Sequence, residues 1–372
     1  YNQIQSASRE YVADTTSGSF GLLNFISASG DGKELQSSIT YVTNPANNLL
    51  TGSSQIASRI SGSFNKGFEF VGQIKAALGG VFQESTTMNS AHSGGSGGSM
   101  LAGTALIAGG SYGSGWPPQT CACTEVYDGS SWSEVNDLIR GTTNQASCYV
   151  TFAGDSSAGL FFGGNTTDTE EWNGTNWSEV GSEAYSDGIS YKAGGGGESS
   201  EAAIWVGHTY GGRSNQWNGT NWSEISDMVT LGSPNRQGGS FGTSNSFLVG
   251  GGGVTPACFL NTEIWNGSSW SENSDMIIAV NRGAGMGTTN DGIIATGHDG
   301  TTPYYSRLPV NLSNVWDGTS FSAGALVNSK RYQNGLGNGT NTANGLSNDG
   351  WFGGGSPGSP VYNSSKTEIY PG

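Results

Sequence analysis

Apolar and polar positions repeat in a fixed order along the chain after residue 80. Each unit begins with a Gly-, Ala- and Ser-rich segment and continues with a short apolar run. It closes with two segments that meet at a pair of aromatic residues. The apolar runs are residues 105–110, 160–164, 204–208, 247–251, 293–298 and 351–355. Short apolar runs bounded by turn residues are typical of β-strands, so each unit predicts four strands.

The aromatic pair belongs to a string that recurs with little change, TEEWNGTNWSEV at residues 169–180. Its copies begin at Thr124, Thr169, Ser214, Thr262, Ser313 and Thr367, which are 45, 45, 48, 51 and 54 residues apart. Asn-Gly and Asp-Gly favour a tight reversal between antiparallel strands, because these residues tolerate the left-handed conformation. The string therefore predicts a hairpin in which Trp172 and Trp177 are neighbours around an Asn173-Gly174 turn.

Four short antiparallel strands recurring at this period indicate the blades of a β-propeller. Five units are complete, and the sixth ends after Tyr370 without its last strand. Residues 81–85 can supply that strand, since FQE at residues 82–84 has the pattern of WSE in the complete units. The predicted fold is all-β: a six-bladed propeller over residues 80–372, closed by an N-terminal strand.

The glycines are distributed as such a propeller requires. Innermost strands crowd around a central channel, where close approach of the backbones demands small side chains. The Gly-rich positions within residues 194–197, 238–239, 283–287 and 335–339 fall where innermost strands are expected. The Trp residues are expected to fill the space between adjacent blades.

Residues 1–79 do not share the repeat. Residues 20–29, 38–42 and 68–74 are rich in β-branched and aromatic residues and predict strands. We interpret this part as a small β-rich module for attachment or oligomerisation, and an ordered linker without a function of its own is the alternative. The chain is thus divided into a segment of residues 1–79 and the propeller of residues 80–372.

Composition and charge narrow the partners. The chain has 14 Lys+Arg against 29 Asp+Glu, a net charge of −15, and this acidity disfavours nucleic acid and anionic membranes. No run of about 18 apolar residues is present, so no membrane insertion is expected. Although Gly is abundant at 63 residues, eleven regularly spaced Trp residues indicate packed cores rather than disorder.

A double glycine after the apolar run, with paired aromatic residues across the turn, resembles the kelch repeat of galactose-oxidase-like propellers. The double glycines are Gly109-Gly110, Gly163-Gly164, Gly250-Gly251 and Gly353-Gly354, and the aromatic pairs are Tyr127/Trp132, Trp172/Trp177, Trp217/Trp222 and Trp265/Trp270. This resemblance covers residues 81–372 and implies a fold, not a function. The WNGTNW string, together with SGSFNKGFEF at residues 61–70, is similar to virion structural proteins of marine tailed bacteriophages.

The catalytic propellers of the galactose oxidase family bind copper through two His, two Tyr and a cross-linked Cys. This chain has three His, and two of them occupy the second-Gly position in blades that are not adjacent. We expect His208 and His298 to be exposed loop residues, and a shared metal site would require long loops to fold inward. Cys121 and Cys123 are too close in sequence for a zinc pair, which favours free or loosely paired thiols. No catalytic residue, metal site or cofactor is predicted, and the chain is not expected to be an enzyme.

The repeated charged residues receive structural interpretations. Glu134, Glu179, Glu224 and Glu272 follow the outer-strand Trp by two positions. They are expected to stand beside it at the rim or to accept hydrogen bonds from the neighbouring blade. Arg140, Arg236 and Arg282 follow outermost strands. A solvated or blade-bridging role is favoured over a ring that binds carboxylated sugars.

The connections between second and third strands vary most in length and carry aromatic residues among Pro and Ser. The candidate ligand-binding residues are Tyr112, Trp116, Phe259, Tyr304, Tyr305 and Tyr362. Such residues suit stacking against sugar rings and contacts with proteins, although they equally suit packing that orders long loops.

These observations predict a non-enzymatic virion structural or adhesion protein at the virion surface or outside the cell. Residues 1–79 are expected to contact other virion proteins, and the propeller to bind a host-surface glycan or protein receptor, with homo-oligomerisation left open. The alternatives are a carbohydrate-active enzyme of the oxidase or sialidase kind and a purely structural decoration subunit.

Overall fold

The computed structural model describes the chain in separate stretches, and some strand residues are described only in their backbone. The stretches are residues 82–92, 96–101, 104–112, 119–139, 150–163, 167–182, 194–208, 211–229, 238–253, 258–298, 309–331, 338–339, 350–355 and 364–370. The predicted module of residues 1–79 lies outside them and stays a prediction. Within these stretches, no helix is long and apolar enough to cross a membrane.

Six antiparallel sheets form the blades of a six-bladed β-propeller, as predicted. Blade 1 consists of β2 (Ser96–Leu101), β3 (Thr104–Ala108), β6 (Thr124–Tyr127) and β7 (Trp132–Val135), with a ribbon of β4 (Ser111–Tyr112) and β5 (Gln119–Thr120) between its second and third strands. Blade 2 consists of β8 (Val150–Gly154), β9 (Gly159–Gly163), β10 (Asp168–Trp172) and β11 (Trp177–Ser182). Blade 3 consists of β12 (Gly194–Ser199), β13 (Ala202–His208), β14 (Gly211–Trp217) and β15 (Trp222–Ile225).

The remaining blades continue this order from the innermost to the outermost strand. Blade 4 consists of β16 (Gly239–Thr243), β17 (Ser246–Gly250), β18 (Thr262–Trp265) and β19 (Trp270–Asn273). Blade 5 consists of β20 (Ala284–Thr288), β21 (Asp291–Ala295), β22 (Ser313–Trp316) and β23 (Phe321–Ala323). Blade 6 contains β25 (Gly350–Gly353), β26 (Thr367–Tyr370) and, outermost, β1 (Gln83–Glu84).

The N-terminal strand closes the ring, which confirms the prediction for residues 81–85. Gln83 and Glu84 of β1 pair antiparallel with Ile369 and Glu368 of β26. The ring of Phe82 packs on Tyr370, with ring centroids 4.7 Å apart. The first described strand and the last are therefore joined in one sheet.

The outer hairpin of each complete blade has the predicted turn. Trp172 and Trp177 are opposite each other across strands β10 and β11, with ring centroids 5.2 Å apart. Asn173 Oδ1 accepts hydrogen bonds from the backbone N–H groups two and three residues later, at 3.0 and 2.9 Å, which is an Asx turn. Gly174 adopts φ = 89°, a conformation that favours glycine. The sequence therefore predicted both the hairpin and its cause.

The innermost strands are close-packed, as the glycines of three blades predicted. In β16, Gly242 has φ = 122°, and a Cβ there would lie 2.3 Å from the carbonyl oxygen of Ser246. A Cβ on Gly285 of β20 would lie 2.2 Å from the carbonyl oxygen of Ser240 in the preceding blade. Side chains are excluded from these positions within and between blades.

Blade 6 departs from the expected pattern. The described residues of its glycine-rich segment, β24 (Asn338–Gly339), pair in parallel with β20 of blade 5 and not with β25. β24 lies beside β2, β8, β12, β16 and β20, the innermost strands of the five other blades. It therefore occupies the axis of the propeller, so the central channel is filled by the chain itself at this level.

The cores lie between the blades, and the Trp residues fill them as predicted. One core combines Ile204 and Val206 of blade 3 with Phe247, Trp265 and Trp270 of blade 4. The equivalent core between blades 1 and 2 contains both Trp172 and Trp177. Each blade therefore buries its aromatic pair against the blade before it.

Candidate functional site

The two ends of the propeller carry different elements. The end with the Asx turns and the hairpins between first and second strands is called the turn face; there, Trp172 Nε1 donates to Ser156 O at 2.9 Å. The opposite end carries the connections between second and third strands and is called the link face; there, Met276 N donates to Leu260 O at 2.9 Å. The links from each outermost strand reach this face after passing the Asx turn of the next blade, where Asn136 Nδ2 donates to Thr175 O at 2.9 Å. The described links are residues 85–92, 136–139, 226–229, 274–283 and 324–331.

A buried glutamate on the third strand stands at four blade junctions. These residues are Glu125, Glu170, Glu263 and Glu368, each at most 1% exposed. Each carboxylate accepts hydrogen bonds from the link that leaves the preceding blade. Glu170 accepts from Ile139 N and Glu263 from Val229 N, both at 2.7 Å. Because a buried carboxylate needs such donors, each of these bonds ties a link to the next blade.

Blades 3 and 5 have Asn at the same position. Asn314 Oδ1 accepts from Ile278 N at 2.9 Å, and Asn314 Nδ2 donates to Ile278 O at 3.0 Å. Asn215 is fully buried, and its amide has no hydrogen-bond partner among the described residues. The junction position therefore holds an acceptor with or without a charge.

The junction between blades 6 and 1 adds a buried base to the glutamate. Glu125 accepts from Asn89 N and Ser90 N, both at 2.7 Å, and lies 3.2 Å from His92 Nε2. His92 Nδ1 lies 2.6 Å from Gly109 O. Burial acts to raise the pKa of Glu125, but the bonds from His92, Asn89 and Ser90 outweigh it and hold the pKa below its usual value.

The junction between blades 5 and 6 has the corresponding pair of Arg331 and Glu368, both fully buried. Arg331 Nη2 donates to Glu368, and Nη1 donates to Lys366 O at 3.0 Å and Gly354 O at 3.3 Å. Burial lowers the pKa of Arg331 below its usual value, although Glu368 acts in the opposite direction. A buried basic residue paired with a glutamate therefore stands on each side of the blade that closes the ring.

The link face also exposes large aliphatic side chains. The exposed large hydrophobic residues among the described positions are Ile139 (56%), Val229 (62%), Leu260 (38%), Ile277 (58%) and Leu326 (57%). Four of them lie on links, and Leu260 lies on the second-to-third connection of blade 4. Isolated exposed aliphatic residues are ordinary, but a set confined to one end of a molecule marks a candidate interaction surface.

The predicted ligand-binding aromatics are described only in part. Phe259 is half-buried on the link face, and its N–H donates to Gly252 O at 2.9 Å. Tyr112 is described only in its backbone, in strand β4. Trp116, Tyr304, Tyr305 and Tyr362 lie outside the described residues. Their role in binding stays a prediction.

The expectation of exposed loop histidines is wrong for His298, and the side chain of His208 is not among those described. His92 and His298 are 0% and 2% exposed. Both lie in isolated β-bridges, His92 with Ser364 and His298 with Asn281 and Pro309, which draw them under the links. Among the described residues, no group of three or more His, Cys, Asp or Glu side chains is placed to bind a metal ion.

The buried glutamates were not singled out from the sequence, which drew attention instead to Glu134, Glu179, Glu224 and Glu272. Those four residues are exposed. The signal that could have identified the buried ones is the recurring Thr-Glu or Ser-Asn pair at the start of each third strand. A polar residue repeated at one strand position is expected where a neighbouring backbone needs an acceptor.

The chain is a six-bladed β-propeller, and a solved propeller structure resembles it. The solved structure of YjhT matches it with a TM-score of 0.54 and 11% identity, over 75% of this chain and 95% of that chain. No protein-family model matches the sequence, and the search of curated proteins found no match. Because propellers support many unrelated functions, this likeness identifies the fold alone.

Proposed function

We propose that the chain is a non-enzymatic, kelch-like propeller of a virion, a structural and adhesion protein that presents its link face to a host-surface glycan or receptor. One observation carries the non-enzymatic part. The buried glutamates, His92 and Arg331 are engaged in hydrogen bonds across blade junctions. These side chains hold blades together, which is a structural task, and the exposed aliphatic residues are concentrated on one face.

The virion setting is supported by the resemblance of the WNGTNW repeat and of residues 61–70 to structural proteins of tailed bacteriophages. In this proposal, residues 1–79 contact other virion proteins.

The binding part is tested on a glycan array with the intact chain. We expect specific binding that Tyr304→Ala/Tyr305→Ala abolishes, whereas Thr175→Ala, an exposed turn-face change, leaves it unchanged. Mass spectrometry of purified virions tests the setting and should detect the chain in stoichiometric amount. Stoichiometric copper in the purified protein, or turnover of a sugar substrate, would instead support an oxidase or sialidase-like enzyme and overturn the proposal.

A further inference from the structure

Three links repeat one arrangement of side chains at the same distance from the outer-strand Trp. The fifth residue after the Trp is an exposed Asp, the sixth a buried Leu or Met, and the seventh an exposed Ile or Val. The three triplets are Asp137-Leu138-Ile139, Asp227-Met228-Val229 and Asp275-Met276-Ile277.

The exposed aliphatic residues are held in place from below. Met228 is 5% exposed and belongs to the core between blades 3 and 4, while the next residue, Val229, is 62% exposed. Val229 N donates to buried Glu263 at 2.7 Å, and Ile139 N donates to buried Glu170 at the same distance. Because a buried side chain precedes each of these two residues and their N–H groups are bonded, the exposed side chains have less ordering to lose on binding.

Three of the aliphatic residues lie on blade 4 or on the links at its two junctions. Val229 lies on the link into this blade and Ile277 on the link out of it. Leu260 lies on its second-to-third connection and is brought to the second link by the bond from Met276 N to Leu260 O. Val229, Leu260 and Ile277 are called the apolar arc. Leu326 extends it toward blade 6.

The chemistry of the arc indicates what can cover it. Aliphatic side chains lack the flat π face on which sugar rings stack, so the arc suits a protein surface better than a glycan. Asp227 and Asp275 are exposed two residues before Val229 and Ile277, and the chain as a whole has a net charge of −15. On the same links, Arg282 is half-buried, and exposed Lys330 stands beyond Leu326. The margin of the arc at blade 4 is therefore acidic.

We propose that the link face docks a basic protein partner through the apolar arc. Apolar side chains of the partner cover Val229, Leu260 and Ile277, while its Lys or Arg residues pair with Asp227 and Asp275. Charge complementarity of this kind sets orientation and association rate, and the apolar contact supplies affinity. The inference rests on the proposed function in that it takes the propeller as a binding module, and it favours a protein receptor over a glycan for this part of the face.

The test uses the intact chain and two amphipathic helical probe peptides with the same leucines, one with lysines and the other with glutamates on the polar face. We expect the lysine peptide to bind in fluorescence anisotropy and the glutamate peptide not to bind. Val229→Ser/Ile277→Ser should weaken binding at least tenfold. Asp227→Asn/Asp275→Asn should weaken it and reduce its dependence on salt.

The matched control removes the same charge elsewhere. Glu179→Gln/Glu224→Gln changes two exposed acids on outer strands and should leave binding unchanged. If this control weakens binding as much as Asp227→Asn/Asp275→Asn, the peptide recognises net charge only and the proposal fails. It also fails if the chain forms a dimer in sedimentation that Ile277→Ser dissociates, or if neutral lipid vesicles bind in place of the peptide. If the glycan array is negative and the lysine peptide binds, only glycan binding is removed from the proposed function.

Discussion

At the scale of the residue, the repeat shows which side chains depend on one another. In blades 2 and 3, the outer-strand Trp is bonded to a Thr on the third strand of the preceding blade. Trp177 Nε1 donates to Thr124 Oγ1 at 3.0 Å, and Trp222 Nε1 donates to Thr169 Oγ1 at 2.9 Å. Trp132 of blade 1 instead donates to Thr86 O at 3.1 Å. Blade 3 has Ser214 in place of Thr, and Trp270 Nε1 of blade 4 is buried without a hydrogen-bond partner among the described residues.

We predict that Ser214→Thr stabilises the protein. Ser214 Oγ donates weakly to Gly212 O at 3.4 Å. Thr would favour the rotamer that accepts from Trp270 Nε1, because its χ1 is restricted. A satisfied buried N–H is worth about 1 kcal/mol. Denaturant unfolding followed by Trp fluorescence measures the change.

The control for this prediction removes the donor. Trp270→Phe places Phe where blades 5 and 6 have Phe321 and Phe82. In this background, Ser214→Thr should give no gain in stability. If the gain is the same in both backgrounds, it comes from the strand preference of Thr and not from the hydrogen bond. A loss of stability would mean that the added methyl group has no room.

At the scale of the element, the junction between blades is the feature that the structure shows and that could not be predicted from the sequence. The hairpins and the closing strand could be predicted, because turn residues and a repeating period act locally. The burial of Glu263 could not be predicted, since Glu263 and the exposed Glu272 are cross-strand partners in one hairpin. Their burial differs because the link that leaves blade 3 approaches Glu263. The position of β24 on the axis likewise depends on packing among all the blades.

We predict that Glu263→Ala destabilises the protein by about 1–3 kcal/mol, because it leaves the partly buried backbone N–H of Val229 without its acceptor. Glu272→Ala, which changes the exposed partner on the adjacent strand, should stay within about 0.5 kcal/mol of the wild type. The shift in the midpoint of chemical unfolding measures both. Equal effects of the two substitutions would show that the bond to the link contributes nothing to stability.

At the scale of the whole molecule, two buried pairs of a basic residue and a glutamate flank blade 6, the blade assembled from both ends of the described chain. His92 with Glu125 joins it to blade 1, and Arg331 with Glu368 joins blade 5 to it. Closure at blade 6 therefore involves Glu125, a buried carboxylate that accepts hydrogen bonds in its charged form, which makes closure sensitive to acid.

We predict that the ring loses stability in acid and that His92→Gln moves this loss to higher pH. The pKa of Glu125 is lowered from its ordinary value near 4.5, so the folded state binds its proton less readily than the unfolded state. The resulting stability is present above the ordinary value and is lost as the pH falls through the lower, folded-state value. Replacing His92 removes a bond that lowers the pKa, so the folded-state pKa rises toward the unfolded one. Acid titration of Trp fluorescence should show the higher midpoint for His92→Gln, while Glu134→Gln, which changes an exposed acid of blade 1, should titrate as the wild type does. A midpoint that His92→Gln leaves in place would mean that closure at blade 6 does not depend on this pair.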